Sequence, residues 1–154
     1  MGVTVGVNAL SVVHKSSGGI SIAFPDVCKT QCGPPIVPIP YPNISKSADT
    51  DKGSKTVTCD GESICLKDSN FKTSTGDEPG VHKGIASSKT KGISEFINYS
   101  FDVKVEGKNV PRAFDMMLHN NKNTPPVPVL QPPIIAVLPD VKLICHFCKK
   151  AYKS

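Results

Sequence analysis

The sequence contains no tryptophan, only 6% aromatic residues and 38% hydrophobic residues. This excludes a large oily core, and a small domain with so little core needs an added staple. No stretch approaches the roughly 18 consecutive apolar residues that a membrane-spanning helix requires. The N-terminus, Met1-Gly-Val-Thr-Val-Gly-Val-Asn8, lacks a basic region followed by an apolar one, so no signal peptide is read there. The expected site of folding is a reducing cytosol, where thiols stay free or bind metal. Enzyme signatures are also missing. There is no phosphate loop, no Gly-x-Ser-x-Gly elbow and no His-Glu-x-x-His pair. Asp77 and Glu78 are adjacent and would point apart on a strand, and no nucleophile accompanies Asp115 and His119. The chain is read as not an enzyme.

What the sequence does hold is punctuation. Fourteen Pro and twelve Gly make turns frequent and long helices rare. Six Cys and four His could supply the staple, as disulfides or as a metal site. The net charge of +5 comes from scattered lysines, densest at Lys149, Lys150 and Lys153. A nucleic-acid surface needs a clustered basic face with aromatics, so this charge is read as solubility.

Three stretches share one pattern: Val5 to His14, Val57 to Leu66 and Val103 to Arg112. Each is a β run, a tight turn and a second β run. Asp60-Gly61 and Glu106-Gly107 carry the second and third turns, and Asn8-Ala9 is a weaker first version. Asp-Gly between alternating residues signals a hairpin, because type I′ turns need positive φ. The copies recur about every fifty residues, which suggests a repeat around a pseudo-threefold axis. Between them run the Pro-rich segment Gly33 to Asn43, the turn cluster Ser74 to Gly80 and an expected strand from Ile93 to Val103. After His119 the composition turns to Asn and Pro, followed by the apolar run Ile134 to Leu138 and a basic tail. The body is therefore read as residues 1–120, and 121–154 as a Pro-rich linker and a C-terminal Cys-x-x-Cys tail.

Several motifs, in order, resemble the PAAR-like domain family. They are Val13-His-Lys-Ser-Ser-Gly-Gly19, Phe24-Pro-Asp-Val-Cys-Lys-Thr30, Pro38-Ile-Pro-Tyr-Pro-Asn43, Ser74-Thr-Gly-Asp-Glu78 and Asp102 to Val110. Arg112-Ala-Phe-Asp115 and Leu118-His-Asn120 close the match. The resemblance implies an all-β, cone-shaped domain that caps the trimeric spike of a type VI secretion or related contractile injection system and helps it puncture membranes. One monomer would sit on one spike trimer, cytoplasmic until secreted, and would meet the target membrane only transiently. An adaptor that docks an effector onto the spike and a small metal-dependent hydrolase are the alternatives.

The resemblance also implies a structural zinc held by three His and one Cys. A narrow apex has little interior, so a metal crosslink can replace burial. His14, Cys28 and His119 match the family pattern best, and His82 completes the set, with Cys32 as the alternative fourth ligand. Cys59 and Cys65 flank the second turn and read as packed thiols that could face each other. Cys145 and Cys148 form a lone Cys-x-x-Cys pair, open to a second metal, a redox role or neither.

Overall fold

The computed structural model of the protein describes residues 3–135. Among them there is no α-helix, so the domain is all-β as expected. Three two-stranded hairpins form independently: β1 (Gly6–Val7) with β2 (Leu10–Ser11), β6 (Thr58–Cys59) with β7 (Glu62–Ser63), and β10 (Lys104–Val105) with β11 (Lys108–Asn109). All six turn residues have positive φ, from 52° at Asn8 to 79° at Gly107. That is the type I′ geometry, whose twist matches the flanking strands.

The three hairpins close on one another in a ring. The first turn residue of each reaches the segment that precedes another hairpin. Asn8 Nδ2 donates to Asp102 Oδ1 at 3.0 Å. Glu106 accepts from the backbone N–H groups of Lys55 and Thr56. Asp60 accepts from the N–H of Thr4 at 3.1 Å and from its hydroxyl. Below the turns, Val12, Ile64 and Val110 occupy equivalent positions and are fully buried in one cluster, with Val7, Cys59 and Val105 around them. The pseudo-threefold repeat is thus both a hydrogen-bond ring and a shared core.

The rest of the domain is a seven-stranded sheet. It adds β3 (Ile20–Gln31), β4 (Ile36–Lys46), β5 (Thr50–Asp51), β8 (Asn70–Phe71), β9 (Ser94–Phe96), β12 (Met116–Leu118) and β13 (Val127–Leu130), in the order β4-β3-β13-β12-β9-β8-β5. β3 and β4 form one long antiparallel ribbon with a register shift between Ala23 and Asp26. Pro38, Pro40 and Pro42 recur at every second residue of β4. Opposite them, the backbone of Val27 and Lys29 bonds to Ile85, Lys83 and His82 on β3's other side. Pro38 and Pro40 therefore sit where an N–H would face the free edge and blunt it against further strands, while Thr75 covers the same edge at Ile44.

Two sequence expectations change here. Residues 93–103 yield only the short β9, because Ser100 to Asp102 already serve the third hairpin through side-chain bonds. The boundary after residue 120 falls inside the sheet. β13 lies between β3 and β12, with Val129 buried, so the Pro-rich stretch supplies a central strand. The pair Cys145 and Cys148 and most of the run Ile134 to Leu138 lie outside the described residues.

Candidate functional site: a buried carboxylate and thiol cluster

β3 carries Asp26 and Cys28 two residues apart, so both side chains point to the same face. The turn cluster brings Asp77 to them. One donor atom from each of Asp26, Cys28 and Asp77 lies within 4.8 Å of the others, and all three residues are buried. Among the described residues this is where three side chains that could hold a metal ion come together. The loop is pressed hard onto the thiol: a Cβ on Gly80 would stand 2.3 Å from Cys28 Cβ, so only glycine fits.

Asparagines surround the cluster. Asn43 Nδ2 donates to Asp26 Oδ2 at 2.6 Å and to Ser74 Oγ at 3.0 Å. Asn123 Nδ2 donates to Asp26 Oδ1, while its Oδ1 accepts from Ala86 N–H at 2.8 Å, which fixes the amide's orientation. Asn120 Nδ2 also faces Asp26, and its Oδ1 accepts from Gly92 N–H at 3.0 Å. Asp77 receives the Lys91 N–H on both oxygens at 3.1 Å. No lysine or arginine pairs with either carboxylate among the described residues. Burial, with help from Asp26, pushes the Asp77 carboxyl up to about 6. Burial, followed by the two carboxylates, pushes the Cys28 thiol up to about 12, so it keeps its proton at neutral pH unless a cation takes it.

Two carboxylates and a thiol are suitable donors for zinc. The Oδ1 of Asn43, fully buried beside Asp26, has no hydrogen-bond partner. By residue type the set could hold a metal ion at Asp26, Cys28 and Asp77.

The structure disperses the four residues that the resemblance pointed to. Cys28 lies in the cluster. His14 is buried in the hairpin layer, where its Nδ1 accepts from Ser16 N–H and its Nε2 bonds Asp60 Oδ2 at 3.1 Å. His82 is exposed and bonds Gln31 at 2.9 Å. His119 is buried, with Nε2 2.8 Å from Ser21 Oγ and Nδ1 unpartnered. Burial holds its imidazole down at about 4, opposed by the nearby Asp26. Cys32 is exposed. Cys59 and Cys65 are free thiols that enter different cores: Cys59 packs against the hairpin cluster and Cys65 joins Phe71, Phe96 and Met117. Sequence reading missed Asp26 and Asp77 as site residues, although both sit inside motifs it quoted. The signal lay in the company of Asn43, Asn120 and Asn123, which only the fold assembles.

The fold is a small all-β domain closed by three equivalent hairpins, with a buried polar cluster. The particular family follows from comparison: residues 19–126 match the model described as the Toxin PAAR-like domain, and the chain belongs to that family. The chain is also 46% identical over 126 residues to a protein named DNase toxin Tse7 from Pseudomonas aeruginosa. That alignment covers 77% of this chain and 33% of the relative, so the chain spans about a third of the relative's length. No solved structure shows a significant match.

Proposed function

We propose that the domain is a non-enzymatic cap on the trimeric spike of a type VI secretion or related contractile injection apparatus. The observation that carries this reading is the ring of hairpin ties, Asn8 to Asp102, Glu106 to Lys55 and Asp60 to Thr4. It gives a single chain a threefold-symmetric end, the shape that three identical subunits present. One monomer then meets one trimer, and the domain stays cytoplasmic until the apparatus fires. Light scattering of a purified mixture with a candidate spike trimer tests this. One cap per trimer is the expected mass, and three caps per trimer would defeat the threefold argument.

The relative's printed name and its extra length favour a second role, that of carrying an effector to the spike. On that reading this domain is the docking part and the cargo lies outside it. Pull-down of a candidate effector with and without residues 136–154 tests whether the tail makes the connection. Retention of the effector by the shortened chain would remove the tail from that role.

A structural zinc at Asp26, Cys28 and Asp77 completes the proposal. All three are buried, which suits a structural ion, and a closed tetrahedral site there needs one donor more. Elemental analysis of protein purified without chelators should find one zinc per chain, lost in Cys28→Ser and unaffected by His82→Ala. Metal-free wild type would end the zinc proposal and leave the cap intact.

A further inference from the structure

The ribbon of β3 and β4 turns its polar side inward and its apolar side to water. Along β3, Ile20, Ile22 and Phe24 face solvent, the last two 58% and 60% exposed, while Ser21 and Ala23 between them are at 0%. Ile22 pairs with exposed Ile44, and Ile20 with exposed Leu130 of β13. Beyond the register shift the same side stays outward, because Asp26 and Cys28 are buried and Lys29 is exposed. Lys29 pairs with exposed Pro38, and its N–H donates to the carbonyl of exposed Lys83 at 2.9 Å. Lys46, opposite Ile20, is exposed as well. No Asp or Glu stands at an outward position of β3, β4 or β13. Among the described residues none of the three lysines has a carboxylate partner. The result is one face that is apolar, cationic and free of acid.

Contiguous exposed apolar surface marks a contact, and the charges on this face say with what. A second copy would bring lysines against lysines, so the cover carries negative charge. Protein contacts are enriched in Arg and aromatic anchors and depleted in Lys. This face has lysines and no arginine, with Phe24 as the exposed aromatic of its strands. A bilayer interface has the opposite preference. Aliphatic side chains enter the acyl boundary, while lysines lay their methylene stems along it and hold their ammonium heads at the lipid phosphates. Each lysine close to an anionic leaflet strengthens binding several-fold. We propose that the outward face of β3, β4 and β13 binds an anionic bilayer surface, with Ile20, Ile22 and Leu130 entering the interface and Lys29, Lys46 and Lys83 meeting lipid phosphates. This goes beyond the cap reading and does not depend on it.

The absence of tryptophan gives a clean reporter. Ile22→Trp in the full chain places one fluorophore on the face. Vesicles of equal parts phosphatidylcholine and phosphatidylglycerol should shift its emission to the blue and carry the wild-type chain down on sedimentation. Pure phosphatidylcholine vesicles should do neither, and raised salt should weaken the binding several-fold. Lys29→Gln with Lys46→Gln should weaken it about tenfold or more, and Ile22→Thr with Leu130→Thr should weaken it comparably. Lys104→Gln with Lys108→Gln removes the same charge from the third hairpin and should leave binding nearly unchanged. Circular dichroism checks the fold of each variant, and if the threonine pair unfolds, the lysine pair decides. No binding to the mixed vesicles would overturn the proposal. Binding that survives both face variants, or that the two lysine pairs weaken equally, would also overturn it, since the tail or net charge would then be the cause. So would a blue shift with polyglutamate and none with vesicles, which would make an acidic protein segment the partner. A free chain that is a dimer in solution and becomes a monomer in Ile22→Thr with Leu130→Thr would overturn it in favour of a second copy. No spike protein enters the experiment, so its failure and the failure of the cap reading are separate results.

Discussion

The hairpin layer and the seven-stranded sheet solve the same problem by opposite means. In the hairpin layer Val12, Ile64 and Val110 fill the interior, and polar side chains such as Asn8, Asp60 and Glu106 tie the outside. At the β3–β4 end of the sheet the interior is Ser21, Asp26, Asn43, Ser45 and Ser94, and the isoleucines are outside. Apolar burial needs no partner geometry, so the hairpins can be short. A polar interior holds only if nearly all its buried groups are bonded, which requires a network assembled from distant segments, and here Asn43 Oδ1 and His119 Nδ1 are exceptions. The sheet carries that requirement at Asp26, where amides from Asn43, Asn120 and Asn123 converge.

The largest effect should therefore come from Asp26→Ala. It strips one acceptor from three amide groups at once, each of which keeps a second in Ser74 Oγ, Lys89 O or Val27 O, and a buried polar hydrogen left unpaired costs about 1–3 kcal/mol. The expected loss in urea unfolding is on the order of 3 kcal/mol or more. Ile64→Ala in the hairpin core should cost less, about 2–4 kcal/mol from lost burial and the cavity it leaves. If Asp26→Ala proves the milder of the two, the polar network is not what holds the sheet.

The pH response separates the regions further. The Asp77 carboxyl is raised to about 6 from an ordinary 3.8. The folded state then binds a proton that the unfolded chain has lost, so this group's contribution is full below about pH 4 and lost as pH rises through 6. His119 is lowered to about 4 from an ordinary 6.5. Its contribution is full above 6.5 and lost as pH falls through 4, because the unfolded imidazole takes the proton first. The two oppose each other in one window. Asp77→Asn should raise stability at pH 7 and leave a steeper fall between pH 6.5 and 4, read by thermal melting across that range. Should the cluster hold zinc, the same substitution would lower stability at pH 7 together with zinc content, so one variant decides between the two states of the site.

The hairpin layer was legible in the sequence because its rules are local. Asp60-Gly61 and Glu106-Gly107 announce their own turns, and the alternation around them gives the buried faces. The sheet was not legible by the same rules. Ile20, Ile22 and Ile44 are apolar and lie outside, with Ser21, Asn43 and Ser45 inside, which no local rule announces. β13 was hidden in a stretch whose prolines suggested a linker, since Pro128 fits a strand only where its missing N–H is not needed. His14, His82 and His119 were reasonable metal ligands by type. The fold instead gives them Asp60, Gln31 and Ser21 as partners and leaves Cys28 with two carboxylates from motifs some fifty residues apart in sequence.

The smallest predicted effect is a gain, and it tests the equivalence of the three hairpins. The second turn position is Gly61 in one copy, Gly107 in another and Ala9 in the first, with φ of 78°, 79° and 66°. A Cβ in this left-handed region crowds the following carbonyl, at a cost of roughly 1–2 kcal/mol. Glycine removes that strain, and the wider freedom it gives the unfolded chain takes back up to about 1 kcal/mol. Ala9 is exposed, so no packing is lost with its methyl group. Ala9→Gly should therefore stabilise the domain by about 0.5–1 kcal/mol, read as a small rise in melting temperature. Slower hydrogen exchange at the amides of Val12 and Ala113, which bond to Val5 and Ser11 across this hairpin, should accompany it. A neutral or negative result would mean that Asn8 and Ala9 settle into their turn by a route the other two hairpins do not share.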